Sequence, residues 1–253
     1  MIDKMQTEKR FIDLSRQAQR RGVVVYSDFL TLNELDMLNR NKAKLESSFS
    51  LYGGYEFAER QMVAFLPDAF YYTIEPDYPI RCCKIISSYP KFSEELTHRD
   101  VLGAIMNLGI DRSKIGDIVL DRKEKTIYLF ATRQIMEYIM DNLIQIRHTQ
   151  VTLLPCDPSQ LSIQPEFAEH TGIVASVRLD NMVACMAGLS RSKAVLEIQS
   201  GRVFINGLQQ LNNAYFCHAG EQISIRHVGK FIYDKECGTT QKGKVRIQYR
   251  QYT

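Results

Sequence analysis

The chain has 253 residues and a mass of 29.2 kDa, so it is long enough for two domains or three small ones. Hydrophobic residues make up 45% of it and charged residues 24%, which excludes a chain that is mainly disordered or fibrous. The longest near-apolar stretch, residues 101–110, is far shorter than the ~18 residues that a transmembrane helix needs. The N-terminus lacks the apolar core of a signal peptide, and the six cysteines include no CxxC pair, so we expect a cytoplasmic protein with reduced thiols.

Residues 1–78 predict a small N-terminal α/β domain. Apolar residues recur at helical spacing from Phe11 to Ala18, and Gly22 ends that pattern. Thr31 and Glu34 have the spacing of a capping box, in which each side chain binds the backbone N–H of the other at a helix start. The pair Gly53–Gly54 predicts either left-handed backbone or a close approach of another segment.

Residues 79–154 predict the β-α-β-β-α-β order of a ferredoxin-like, RRM-like domain. The predicted strands and helices, in chain order, are 80–87, 97–109, 116–120, 126–130, 132–146 and 151–154, with a charged turn at 121–125. Tyr128 and Phe130 share one face of a strand and offer rings on which bases could stack. We favour core packing for both, because helices must cover one face of the sheet.

Prolines interrupt the next segment, and we predict a linker over residues 155–176. In the final region, 177–253, an apolar stripe from Leu179 to Ala187 predicts a short helix that ends at Gly188. A second helix follows from Ser190, with Gly201 as its C-cap residue. Beyond it we predict strands at 203–205, 222–226 and 242–249, with a tight turn at 206–207.

Positive charge is concentrated in this final region. From Arg178 to the end there are 11 Lys and Arg against 5 Asp and Glu, a net +6, whereas the rest of the chain carries −3. This asymmetry indicates that one end of the protein meets a polyanion. A chance distribution of charge on a solvated surface is the alternative that composition leaves open.

The start of the second helix carries the clearest chemical pattern. Residues 189–193 read Leu-Ser-Arg-Ser-Lys, which places Arg191, Lys193 and two hydroxyl groups at a helix N-terminus that already favours an anion. Arg178 opens the preceding helix, and Arg202 follows Gly201, so both are expected on the same side. These cations predict a site for nucleic-acid phosphates, with capped helices and solvated charges as the alternative.

The same residues closely resemble the alpha-L RNA-binding motif, the module named after the fourth small-subunit ribosomal protein. The resemblance covers about residues 177–231 and rests on Arg178-Leu-Asp180, Leu-Ser-Arg-Ser-Lys-Ala at 189–194, Ser-Gly-Arg-Val-Phe-Ile-Asn-Gly at 200–207 and Gly-Glu-Gln-Ile at 220–223. The RNA-binding positions that it implies are Arg178, Arg191, Ser192, Lys193, Arg202, Asn206, Arg226 and Lys230.

Upstream, residues 53–60, 98–103 and 116–118 are similar to the YlmH family of bacterial proteins, which carry this motif at the C-terminus. The similarity implies a non-enzymatic protein without cofactor or metal that binds structured RNA, ribosomal RNA and/or tRNA, on the large ribosomal subunit. It further implies a role in the rescue or quality control of stalled translation. We expect a cytoplasmic monomer that does not associate with membranes.

Two other functions stay open. Arg178-Leu-Asp180 also resembles the catalytic tripeptide of pseudouridine synthases, which leaves an RNA-modifying enzyme as an alternative, although Asp180 fits an acidic residue in a first helical turn. The second alternative is a scaffold protein for cell division. His98 and Asp100 are expected to start a helix rather than to act as acid and base. Zinc is not expected at Cys217, His218, His227 and Cys237, because their spacing is not that of a zinc finger.

Overall fold

The computed structural model describes residues 4–68, 75–121, 126–158, 161 and 167–252. It is an α+β protein that forms two compact units, Met1–Ile163 and Gln164–Thr253. The N-terminal and middle regions, predicted as separate domains, both lie in the first unit.

The N-terminal region forms a three-stranded antiparallel sheet with two helices. Its elements are α1 (Lys4–Arg21), β1 (Val25–Tyr26), α2 (Leu32–Arg40), β2 (Ser48–Tyr52) and β3 (Met62–Leu66), with the strand order β1-β3-β2. The predicted first helix is confirmed, and Gly22 after it is left-handed with φ +64°. The capping box is confirmed as well, since Thr31 N donates to the Glu34 carboxylate over 2.8 Å. Phe11, Leu38 and Phe65 are buried between helices and sheet.

The middle region has its strands and helices in the predicted order. They are β4 (Ile80–Ser87), α3 (His98–Asn107), β5 (Ile115–Asp121), β6 (Thr126–Thr132), α4 (Arg133–Asn142), the short β7 (Gln145–Ile146) and β8 (Thr149–Cys156). The sheet order is β5-β6-β4-β8-β7, and every neighbouring pair is antiparallel. Of the predicted turn at 121–125, Asp121 ends β5 and the other residues lie outside the described part of the chain.

The prediction of one helix from 132 to 146 was too long. α4 ends at Asn142, and Ile146 is a fully buried residue of β7, which pairs with β8 across a turn where Arg147 is left-handed. A buried isoleucine satisfies a helical apolar pattern and a strand equally, so periodicity cannot fix this end.

The glycine pair and the motif after it join the two regions of the first unit. Gly54 has φ +102°, and a Cβ on Gly53 would lie 2.2 Å from the Cβ of Ala58, so both predicted reasons for glycine are present. The Asp117 carboxylate, on β5, accepts hydrogen bonds from Tyr55 Oη at 2.9 Å, from Glu59 N at 2.7 Å and from Arg60 N at 3.1 Å. Burial raises the pKa of Asp117. Segments 53–60 and 116–118 both carry the family resemblance. Their hydrogen bonds to each other show that these residues stabilise the fold of the first unit.

The second unit is a six-stranded antiparallel sheet covered on one face by two helices. Its elements are β9 (Phe167–Val174), α5 (Leu179–Ala187), α6 (Arg191–Gln199), β10 (Val203–Ile205), β11 (Leu208–Gln209), β12 (Gln222–Ile225), β13 (Gly229–Thr239) and β14 (Val245–Tyr252). The strand order is β11-β10-β12-β13-β14-β9. Met182 and Ile198 from the helices pack against Val203, Phe231 and Ile247 from the sheet. The turn at 206–207 is confirmed, with both residues left-handed, and Gly201 is left-handed one residue beyond the C-cap, Ser200.

The prediction of a linker at 155–176 was wrong, because most of its described residues belong to β-strands. β8 continues to Cys156, and Phe167–Val174 form an edge strand that pairs residue by residue with β14, from Phe167↔Tyr252 to Val174↔Val245. The alternating residues of β9 explain this, because His170, Gly172 and Val174 face the core side while Ile173 is exposed. Prolines before a segment do not prevent it from pairing.

Candidate nucleic-acid interface

Two arginines in the second unit share one buried carboxylate. Arg178, the N-cap residue of α5, donates from Nη2 to Asp180 Oδ2 over 3.0 Å, and Arg191 at the start of α6 donates from Nη2 to the same oxygen over 2.8 Å. The Asp180 side chain is 1% exposed, whereas those of Arg178 and Arg191 are 30% and 60% exposed. Asn181 N also donates to Asp180 Oδ1. We call Arg178, Asp180 and Arg191 the arginine pair site; its net charge is +1.

Within this site, contact stabilises the charged forms of Asp180 and Arg178. Burial alone would raise the pKa of Asp180, but the hydrogen bonds and charges of Arg178 and Arg191 outweigh it and hold this pKa below its usual value. The hydrogen bond to Asp180 in turn raises the pKa of Arg178. The acidic first-turn position expected for Asp180 is confirmed, but sequence reasoning missed that it anchors two of the predicted cations.

The N-terminus of α6 adds a cation and hydroxyl groups next to Arg191. Ser190 caps the helix, and its Oγ accepts a hydrogen bond from Lys193 N at 3.4 Å. Ser192 Oγ lies 3.1 Å from Ser190 Oγ, and the Lys193 side chain is exposed. Lys193 and the unsatisfied N–H groups of the first turn thus present positive potential on the same end of α6 as the arginine pair site.

An exposed phenylalanine lies beside Arg178. Phe216 and Arg178 face each other in an isolated antiparallel bridge, which the hydrogen bonds Leu179 N to Tyr215 O and Cys217 N to Val177 O hold at 2.8 and 2.9 Å. Cys217 is buried, whereas Phe216 is 58% exposed. Paired residues of an antiparallel bridge point to the same side, so the ring and the guanidinium leave the surface together. Sequence reasoning missed Phe216, because nothing in its local pattern separates an exposed aromatic residue from a buried one.

The other predicted cations form a second group at the far end of α6. Arg202 is paired with Glu197 through Nη2 and Oε1 at 2.8 Å, a contact that lowers the pKa of Glu197. The Arg226 guanidinium lies 5.2 Å from the centre of the Phe204 ring, and Arg226 N donates to Arg202 O. Glu197, which holds Arg202, lies six residues after Arg191 on α6, a rise of about 9 Å along the helix axis. The predicted site is therefore two groups of cations rather than one, and Arg202 is neutralised by its carboxylate partner.

The last two predicted RNA-binding residues, Asn206 and Lys230, lie in the sheet region of the second unit. Asn206 is left-handed with φ +49°, and its Oδ1 accepts a hydrogen bond from Gln222 N at 2.9 Å, so its side chain holds the turn. Lys230 is the second residue of β13 and lies opposite Ser224.

Three weaker candidates of the sequence have structural explanations. Tyr128 and Phe130 are 8% and 0% exposed, which confirms core packing and leaves no face for a base. The expected reason was wrong, because the N-terminal region covers these rings while α3 and α4 cover the opposite face of the sheet. Thr97 and Asp100 form a capping box at the start of α3, as expected for the segment that contains His98. Among the described residues, no three His, Cys, Asp or Glu side chains come together as a metal site would require. Of the helices that the structure describes, none combines the length and apolarity of a membrane span.

Comparisons with known proteins agree with these features. A family model described as "Putative RNA-binding domain in YlmH" matches residues 74–160. The "Ribosome-associated protein quality control protein P2" of Bacillus subtilis (strain 168) is 28% identical over 249 residues, covering 96% of this chain and 95% of the relative. A solved structure, "Cell division protein ylmH from Streptococcus pneumoniae", aligns with a TM-score of 0.52 at 22% identity over 65% of this chain and 96% of that one, a likeness of fold. Residues 74–160 thus match a YlmH domain model, and the chain is similar to the Bacillus subtilis quality control protein over nearly its whole length.

Proposed function

We propose that this protein binds structured RNA, namely ribosomal RNA and/or tRNA, on the large ribosomal subunit and acts in the quality control of stalled translation. The observation that carries the proposal is the arginine pair site, in which one buried carboxylate fixes two partly exposed guanidinium groups. The Bacillus subtilis relative is named a ribosome-associated quality control protein, which supports the biological setting.

The arginine pair site suits a phosphate because its arginines are held before RNA arrives. A guanidinium has five N–H donors, and each arginine uses only some of them on Asp180. Both guanidinium groups are partly exposed while Asp180 is buried, so the net positive charge is accessible to solvent. Fixing the two side chains in advance removes part of the entropy cost that a flexible surface arginine pays when it binds.

The neighbouring residues extend this contact to a nucleotide. Lys193 and the N-terminus of α6 are placed for an adjacent phosphate, and the Phe216 ring is placed for an unpaired base. Phosphate contacts carry no base sequence, so the site would select RNA mainly by the shape that brings phosphates and an unstacked base together.

Further parts of the proposal concern domains and setting. The order β5-β6-β4-β8 with α3 and α4 supports a ferredoxin-like, RRM-like middle domain, and residues 177–231 support the alpha-L motif. The protein is expected to act as a cytoplasmic monomer without cofactor. Because the face of the middle sheet with Tyr128 and Phe130 is buried, any RNA contact of residues 74–160 would use other surfaces.

We also propose that the protein is not an enzyme. A catalytic Asp180 would have to reach a nucleotide, but its side chain is 1% exposed and bound by two arginines. Incubating the protein with ribosomal RNA and mapping modified nucleotides by mass spectrometry tests this. Reproducible modification that Asp180→Ala abolishes would establish the enzyme instead.

The salt dependence of binding tests the RNA site itself. Each phosphate contact contributes roughly 0.7–0.9 to the slope of log affinity against log salt concentration. The variant Arg191→Gln/Lys193→Gln should lower the slope for large-subunit ribosomal RNA by about one to two units. The matched control, Arg20→Gln/Arg21→Gln at the exposed end of α1, should leave it unchanged. An unchanged slope in the first variant would remove this surface from the RNA interface.

A further inference from the structure

The hairpin of β13 and β14 ends in a cluster of cations that lies outside the alpha-L resemblance. Residues 235–246, which we call the basic arm, carry Lys235, Lys242, Lys244 and Arg246 against one acid, Glu236. The net charge of the basic arm is +3, half of the +6 that the chain carries from Arg178 onwards.

These four cations are not neutralised by neighbours. All four are exposed, and within the described ranges none of them takes part in an ion pair. Closer to the core on the same hairpin, Arg250 is paired with Asp234 at 2.7 Å, and in the alpha-L region Arg202 is paired with Glu197. The basic arm therefore concentrates free positive charge in the second unit.

The backbone of the basic arm is ordered by hydrogen bonds rather than by these side chains. Thr240 N donates to Lys244 O over 2.8 Å, Lys244 N donates to Thr240 Oγ1 over 3.0 Å, and Gly243 closes the turn with φ +73°. Lys242 and Lys244 thus flank a fixed glycine, and Arg246 follows two residues later on β14. None of these hydrogen bonds involves a lysine or arginine side chain, so replacing the cations should leave the hairpin intact.

The basic arm lies at the same end of the sheet as the arginine pair site. Val245, next to Lys244, pairs with Val174, the last residue of β9. Arg178 follows only four residues after Val174, so its Cα is within about 14 Å of that pair. An RNA strand bound at the arginine pair site is therefore close enough to reach the basic arm.

We propose that the basic arm is a second phosphate-binding surface, which holds the stretch of RNA next to the one bound by the arginine pair site. This inference rests on the proposed RNA-binding function. An RNA backbone is favoured over a membrane surface, because residues 235–246 contain no aromatic residue, leucine or isoleucine to enter a bilayer. It is favoured over an acidic peptide, because the proposed phosphate-binding site at Arg178 lies within about 14 Å of the Val174–Val245 pair.

The test neutralises the basic arm in the full chain with Lys242→Gln/Lys244→Gln/Arg246→Gln. Binding to large-subunit ribosomal RNA should weaken, and its salt slope should fall by roughly two to three units. The matched control neutralises three exposed cations of α1, Lys9→Gln/Arg20→Gln/Arg21→Gln, and should keep the slope. Circular dichroism and the unfolding midpoint should be the same for all three proteins.

The outcomes separate this inference from the proposed function. If the Arg191→Gln/Lys193→Gln variant loses slope and the basic-arm variant does not, the basic arm is not an RNA surface and the proposed function stands. If neither variant loses slope, both are wrong. If the basic-arm variant keeps its RNA slope but loses binding to phosphatidylserine vesicles or to poly-glutamate, the surface serves a membrane or an acidic protein and the inference is overturned.

Discussion

Candidate RNA-binding side chains are buried in the first unit and exposed in the second. The first set lies on the sheet that contains β4 and β8, and the second lies on the helices α5 and α6. On the sheet, Tyr128 and Phe130 are in the position where bases could stack, but Tyr55, Phe29 and Met62 close that face. In the second unit, Arg178 and Arg191 are held from below by Asp180 and remain open to solvent. The comparison shows that a side chain can bind RNA only if no other part of the protein covers it. It also shows that a buried carboxylate can hold two arginines in place while their net charge stays positive.

The largest effect is expected on stability, when a buried ring is removed from the covered face of the sheet in the first unit. Phe130→Ala removes a fully buried ring and should lower the free energy of unfolding of the first unit by about 3–5 kcal/mol, measured by urea denaturation. The control Tyr138→Ala on the exposed side of α4 should cost less than about 0.5 kcal/mol. Under conditions where both variants are folded, their RNA affinity should equal that of the wild type. A folded Phe130→Ala protein that binds RNA poorly would reverse the comparison.

The next effect is expected from removing the shared carboxylate. Asp180→Asn replaces charge-assisted hydrogen bonds with neutral ones, so the second unit should lose about 2 kcal/mol of stability. Its net charge becomes more positive, and binding to an unstructured polyanion such as heparin should strengthen. Binding to structured ribosomal RNA should weaken, because the arginines are no longer held in place. Stronger binding to both polymers would show that only net charge matters.

Features that depend on nearby residues could be predicted from the sequence, whereas features that depend on distant residues could not. The capping boxes at Thr31 and Thr97 and the turn at 206–207 were predictable, because each depends on residues within four positions of one another. β9 was not, because its pairing with β14 joins residues more than 70 positions apart. The anchoring of Arg191 by Asp180 was missed because these residues, 11 positions apart, lie on different helices and only the packing of α5 against α6 brings them together.

A smaller effect is expected from the exposed ring. Phe216→Ala should reduce affinity for ribosomal RNA by about 1–3 kcal/mol through lost stacking, with little change in stability because the ring is largely exposed. The chain contains no tryptophan, so Phe216→Trp introduces a single fluorescent reporter that base stacking should quench. Leu211→Trp, also at an exposed position, serves as the control and should not respond. Equal quenching at both positions would count against a stacking site at Phe216.

The smallest effect concerns pH. The pKa of Asp180 is lowered in the folded protein, so its stabilising contribution is present above about pH 3.9 and is lost as the pH falls through the folded pKa. The pKa of Asp117 is raised by burial, so acid relieves a cost in the first unit. Lowering the pH from 7 to 3.5 should therefore cost the second unit more stability in the wild type than in Asp180→Asn, which lacks this carboxylate, as followed by urea denaturation with NMR probes in the second unit. The opposite order would contradict the lowered pKa of Asp180.

Ultraviolet crosslinking of the full chain on large ribosomal subunits, followed by mass spectrometry of the crosslinked peptides, tests the central claim most directly. RNA should crosslink to peptides around Arg178, Arg191 and Phe216 in the second unit. Crosslinks on the peptide that contains Tyr128 and Phe130, with none in the second unit, would contradict the account.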